Sequence, residues 1–143
     1  MRISATAEYA CAAMLELASS FGQSRPVQVH CISENTGIPS GFLVQILLDL
    51  KKAGLVASVR GKSGGYHLAR SPEEVTLAEI ILAIADRTIT PRSELSKLRK
   101  GPVVEVLLEV WQQVHAEELK VLQRHTLAGL LRRTQDTALT YTI

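Results

Sequence analysis

Apolar residues recur at intervals of three and four near the start of the chain, where Tyr9, Ala10, Ala13, Met14, Leu17, Ala18 and Phe21 share one helical face. Ser4 or Thr6 can cap that helix and Gly22 stops it, so the pattern predicts a helix from about residue 5 to about residue 20. A polar connection leads to Val27–Val29, which read as a short strand. His30–Thr36 then reads as a short helix and Gly37-Ile38-Pro39 as a tight turn. Ser40–Ala53 reads as a longer helix that buries Phe42, Leu43, Ile46, Leu47 and Leu50 and is ended by Gly54.

From Leu55 the period shortens to two. Val56 with Ser58–Arg60 supplies one β-prone run and Tyr66–Leu68 a second, while the glycines between them permit the positive φ that a tight connection needs. This ribbon is expected to pair with Val27–Val29. A short helix, a glycine-containing turn, a second helix and then a hairpin is the order of a winged helix-turn-helix. Beyond the ribbon, Thr76 and Glu79 form a capping box and Val75 and Ile80 a hydrophobic staple, which start a helix from Leu77 to about Asp86.

Residues 87–102 lack a strong period, although Glu94–Lys100 can make one or two helical turns. Pro102 opens a helix to about Gln123 with two apolar stripes. One holds Val103, Val106, Val110 and Val114; the other holds Val104, Leu107, Leu108, Trp111, Leu119 and Leu122. A helix's own domain accounts for one stripe, so the second predicts either the same helix of another subunit or deep burial in a monomer. The expectation is a dimer built on Val104, Leu107, Leu108, Trp111, Leu119 and Leu122. A last short helix after Thr126 carries Leu127, Leu130 and Leu131, and the tail from Thr134 reads as loosely ordered. The predicted fold is mainly α with a small β-hairpin: a winged helix-turn-helix over residues 1–86, a linker over 87–102, and a long dimerisation helix plus a C-terminal helix over 103–143.

At 143 residues the chain can hold one domain with a true core and a helical extension. No apolar run of about 18 residues and no charged-then-apolar leader occurs, so neither a membrane span nor a secretory signal is expected, and the chain is placed in the cytoplasm. The net charge of +2 is uneven, with 7 Lys/Arg against 4 Asp/Glu in residues 1–71 and 9 against 10 in residues 72–143. A basic first half suits a nucleic-acid-facing unit. The 2 cysteines, Cys11 and Cys31, fall in apolar helical patterns and form no Cys-x-x-Cys pair.

The candidate chemistry is anion binding. Arg60, Lys62 and Ser63 put two cations and a hydroxyl on the hairpin, where Gly64 lets backbone N–H groups approach a phosphate and Tyr66 opens the return strand. A solvated basic hairpin would look the same in isolation; its position after a helix-turn-helix is what favours a wing laid along DNA. On the second helix of the pair, Ser40, Gly41, Val44, Gln45, Asp49, Lys51 and Lys52 lie on or near the free side. Gln45 can contact adenine or bond nearby backbone, Val44 can meet a thymine methyl, Ser40 and Gly41 can approach closely through backbone or hydroxyl, and Lys51 and Lys52 read as phosphate contacts or as plain solvated charge. No enzyme is expected: there is no nucleophile elbow, and Gly61–Gly65 lies between strands instead of before a helix. His115 and Glu118 share a helical face, but two ligands do not make a metal site.

Met1-Arg2-Ile3-Ser4, Tyr9-Ala10, Gly37-Ile38-Pro39, Phe42-Leu43-x-Gln45-Ile46-Leu47, Leu50-x-Lys52-Ala53-Gly54-Leu55-Val56, Ser58-Val59-Arg60-Gly61, Gly64-Gly65-Tyr66 and Leu68-Ala69-Arg70 together resemble the Rrf2 family of bacterial transcription regulators. The likeness covers residues 1–86 well and runs in outline to 133. It implies a homodimeric winged helix-turn-helix that binds double-stranded DNA, with Arg2 and Ser4 among the candidate contacts. Many relatives carry three cysteines ahead of the long helix that hold an iron-sulfur cluster; here residues 87–102 contain none, so no cofactor is expected. Relatives often have Glu where Val44 stands, which removes a cytosine contact. Glu8 matches a cluster ligand of one relative but lacks its cysteine partners and reads as helix N-terminal charge. The expected function is a repressor acting on a pseudo-palindromic operator and answering a small-molecule or protein effector. The rival reading is a winged-helix protein-interaction module that does not bind DNA.

Overall fold

The structure, a computed structural model, describes residues 3–84 and 93–142. Among these residues six α-helices and one hairpin follow in the order α1 (Ala5–Ser19), α2 (Val29–Thr36), α3 (Ser40–Lys52), β1 (Val56–Val59), β2 (Gly65–Leu68), α4 (Leu77–Ile84), α5 (Pro102–Gln123) and α6 (Leu127–Thr142). A 3-10 turn at Glu94–Lys97 precedes α5, so the helical potential predicted for Glu94–Lys100 is realised as that single turn. The predicted continuation of α4 to Asp86 and the candidate contact Arg2 lie outside the described residues.

The first helix is the centre of the winged unit. Ser4 caps it, its Oγ accepting from Ala7 N at 3.1 Å, and Ala7, Ala10, Ala13 and Ala18 are all buried. Those small side chains let α2, α3, α4 and α6 approach the same helix closely, while Met14 and Leu17 fill the space between them. Fully burying a side chain such as Leu17, Leu43 or Ile46 contributes about 1.5–3 kcal/mol, and the core holds several of them in one contiguous cluster.

The helix-turn-helix is closed by local bonds. Gly37 ends α2 in the left-handed region at φ 80°, donating to Ser33 O at 2.8 Å, and the Ser33 hydroxyl donates to Ile38 O at 2.6 Å across the turn. At the far end of α3, Gly54 N donates to Lys51 O and Leu55 N to Leu50 O, each at 3.0 Å, so the chain reverses at once into β1. Leu43, Ile46, Leu47 and Leu50 of α3 are buried as expected, but Phe42 is not: it is 57 % exposed and leans on the Tyr9 ring, centroids 6.0 Å apart. It sits in the first turn of α3 at the edge of the apolar stripe, where α1 reaches it only through the Tyr9 ring among the described residues.

β1 pairs antiparallel with β2, Val56 opposite Leu68 and Val59 opposite Gly65. The predicted third strand at Val27–Val29 contracts to one bridge, Val27 with Tyr66, made by two backbone bonds of 2.8 Å. It goes no further because Val29 already opens α2. The close approach demands Gly65, where an added Cβ would stand 2.4 Å from Val27 O. Gly65→Ala is expected to cost about 1–3 kcal/mol through displaced backbone, read as a shift in urea midpoint; an unchanged midpoint would mean that the wing is not anchored there.

Behind the wing the capping box forms by half. Thr76 Oγ1 accepts from Glu79 N at 3.3 Å, but the Glu79 carboxylate is taken by the guanidinium of Arg70, just past β2, instead of returning to Thr76. The staple residues Val75 and Ile80 are both fully buried. The starts of α4 and α6 are stitched together by Leu77 N to His125 O and Leu127 N to Val75 O, both 3.0 Å. Leu127 therefore lies in the same core as Met14 and Ile80. The last helix continues to Thr142, past the point at Thr134 where loose order is expected from sequence. Within it the Thr134 and Thr137 hydroxyls donate to the carbonyls of Leu131 and Arg133.

Between these anchored ends α5 stands almost free, with no buried residue among those described. The structure divides the predicted dimerisation set. Val104, Leu108, Leu119 and Leu122 are half-buried against their own chain, whereas Leu107 and Trp111 are exposed. Val103, 76 % exposed, with Val106, Val110, Val114 and Val121 joins them in the open. The stripe predicted to face the chain itself is thus the more exposed one, because α5 meets α4 and the 3-10 turn along its other side. Among the described residues, no helix is long and apolar enough to cross a membrane.

Candidate nucleic-acid interface

Helical phase places Ser40, Val44 and Leu48 on one outward ridge of α3 and Gly41, Gln45 and Asp49 on the next. Ser40, Gly41, Val44, Gln45 and Leu48 are exposed and Asp49 is half-buried. Val44, 49 % exposed, and Leu48, 40 % exposed, form an apolar ridge of a size that suits thymine methyl groups. The reading of the sequence missed Leu48; its spacing of four from Val44 was the available signal. On the neighbouring ridge Gln45 Nε2 donates to Asp49 Oδ1 at 3.1 Å. The start of α3 has Pro39 in the capping position and no side-chain cap; Phe42 N donates to Pro39 O at 3.1 Å, which leaves the N–H groups of Ser40 and Gly41 to meet an acceptor. Lys51 and Lys52 are exposed in the last turn.

The wing stands beside α3 because only Ala53, Gly54 and Leu55 separate Lys52 from β1. Arg60, Lys62 and Ser63 are exposed at its end. Gln28 Nε2 donates to Lys62 O at 3.1 Å, so the connection ahead of α2 holds the wing tip. Gly64 fits where an added Cβ would meet Val59 O at 2.3 Å. Tyr66 is half-buried against the core with its backbone bonded to Val27, which makes it a support of the wing. Among the described residues none of Lys51, Lys52, Arg60 and Lys62 is engaged in an ion pair, unlike Arg70, whose guanidinium is held by Glu79 and Glu74. The first four cations are open to phosphates; Arg70 braces the wing on α4. Ser4 is exposed; its Oγ accepts from Ala7 N in capping α1, and its hydroxyl hydrogen is left to donate to a phosphate.

The cysteines lie apart from this surface in role. Both are half-buried at the margin of the core instead of within it. Burial, with the charge of Glu8 adding to it, pushes the Cys11 thiol up to about 11, well away from thiolate. Cys31 Sγ lies 3.5 Å from His30 Nε2. Among the described residues, no group of three or more His, Cys, Asp or Glu side chains converges to hold a metal.

Residues 3–133 match the Rrf2 family, described as an iron-dependent transcriptional regulator. The chain is 33 % identical over 132 residues to the HTH-type transcriptional regulator IscR of Photobacterium profundum, covering 92 % of this chain and 76 % of the relative. Its fold superposes on IscR of T. potens with a TM-score of 0.80 at 33 % identity, covering 96 % of this chain and 90 % of the other. CymR, the global cysteine regulator of B. subtilis, superposes with a TM-score of 0.72 at 27 % identity, covering 93 % and 98 %.

Proposed function

The chain belongs to the Rrf2 family of helix-turn-helix transcriptional regulators, which bind DNA, and on that footing we propose that it is a homodimeric repressor that reads a pseudo-palindromic operator without an iron-sulfur cluster. The observation that carries the DNA surface is the pairing of an exposed α3 face with four unpaired cations on α3 and the wing. In this reading α3 enters the major groove, Val44 and Gln45 meet base edges, Ser40 and Gly41 approach the backbone, and Arg60 and Lys62 follow the adjacent phosphates and minor groove. A twofold dimer then meets half-sites roughly 10 base pairs apart, or a multiple of that. Mobility shift on duplexes selected from the source genome tests it: salt-sensitive binding is expected, and an interaction module would bind none of them.

The donor set does not fit a cluster. Iron-sulfur ligation draws on several thiolates at one site; the whole chain has 2 cysteines, one on α1 and one on α2, both half-buried. Anaerobic reconstitution with iron and sulfide is expected to leave less than stoichiometric iron and no visible charge-transfer band, with DNA binding intact in the metal-free protein. A stoichiometric cluster lost in a Cys11→Ser, Cys31→Ser double variant would overturn this. Control then falls to a small-molecule or protein effector acting where α4 and α5 meet.

A further inference from the structure

Asp49 is the single acidic residue on α3, and it stands on the face proposed to enter the groove. A carboxylate there is repelled by phosphates, and it is not neutralised by Lys51 or Lys52, since its side-chain partner is the Gln45 amide. This contact also fixes which way the amide points. A carboxylate offers acceptors only, so the amide must turn its NH2 toward Asp49 and its Oε1 away.

We propose that Asp49 is a positioning residue for base recognition, holding Gln45 so that its second N–H and its Oε1 are presented together to the major-groove edge of adenine. Adenine offers the complementary pair, an N7 acceptor beside an N6–H donor. The amide nitrogen carries two hydrogens, so the one given to Asp49 leaves one for N7. A free surface glutamine would lose its rotamer freedom on docking; a glutamine already held by the next turn of the helix has less to lose. The apolar ridge of Val44 and Leu48 alongside makes an adjacent A·T pair, read through its thymine methyl, the natural neighbour of that adenine. The proposal rests on the reading of α3 as the groove helix, and its test separates the two.

The full-length chain is used to select a duplex from a random pool, and each A·T pair of that duplex is then replaced in turn by G·C. The wild type is expected to lose about 5- to 150-fold at one A·T position per half-site, with 7-deazaadenine at that position reproducing the loss. Gln45→Ala should flatten this preference. Asp49→Ala should flatten it to a similar degree and add little to Gln45→Ala in the double variant. Asp49→Asn keeps an acceptor and removes the charge, so it should retain the preference while tightening binding to every duplex. If Asp49 were only a repelling charge, Ala and Asn would tighten all duplexes alike and leave the preference intact, and the proposal would be wrong. With each C·G pair replaced by T·A in the same way, a preference at a C·G position that Asp49→Ala abolishes and Gln45→Ala leaves intact would equally overturn it, assigning Asp49 itself to cytosine N4. Failure of the wild type to enrich any duplex with salt-sensitive affinity would instead sink the groove reading beneath it.

Discussion

A Leu107→Asp, Val110→Asp double variant is expected to sediment as a monomer at micromolar concentration and to bind the operator about a hundredfold or more weakly than the wild type. Val103, Leu107, Val110, Val114 and Val121 repeat along α5 at alternating steps that match a heptad seam, interrupted at Glu117. All five are exposed, and Val106 and Trp111 widen the strip. An apolar strip of this extent on one helix is rare on a monomer surface and is covered most economically by its twofold mate. Two carboxylates per subunit would be buried without partners in such a seam, a cost of several kcal/mol that should exceed what the interface supplies. Because α5 contributes no buried residue to the core, the variant should keep its helical spectrum and its unfolding transition as a monomer. The loss of operator affinity follows from linkage: two half-sites bound by one dimer gain an effective concentration that independent monomers lack. A variant that remains dimeric, or a monomer that binds as tightly as the wild type, would refute the seam.

The second large effect is expected at the wing. Replacing Arg60 and Lys62 together by alanine should weaken binding to every duplex by a similar factor and lower the salt slope by about one to two units, since each cation that neutralises a phosphate releases a counterion. Among the described residues neither side chain is engaged with an acid, so little of the loss would come from the fold. The backbone contacts that hold the wing, Val27 with Tyr66 and Gln28 with Lys62 O, do not involve the altered side chains and should survive. Sequence preference should be almost unchanged, in contrast to the Gln45 and Asp49 variants. An unaltered salt slope would take the wing out of the interface.

The helix-turn-helix and the hairpin were legible in the chain because their signals are local. Ser4, Gly37 and Gly54 mark helix ends through bonds spanning at most five residues, the spacing of Leu43, Ile46, Leu47 and Leu50 marks a helical face, and the glycines between Val59 and Tyr66 mark a turn. The family likeness rested on the same short stretches. What required the tertiary structure was the assignment of a side chain to one of several competing partners. Glu79 could return to Thr76 or meet Arg70, and only the path of the chain after β2 brings Arg70 within reach. Val27 could extend a strand or stop at one bridge, and the start of α2 decides it. Phe42 fits the apolar period of α3, yet it stays 57 % exposed, with the Tyr9 ring of α1 leaning on it. On α5 both stripes satisfy helical periodicity equally well, and which of them is open depends on how α4 and the 3-10 turn pack against it. Periodicity fixes the angle between residues on one helix and says nothing of what stands opposite them; burial is a property of the neighbour as much as of the residue.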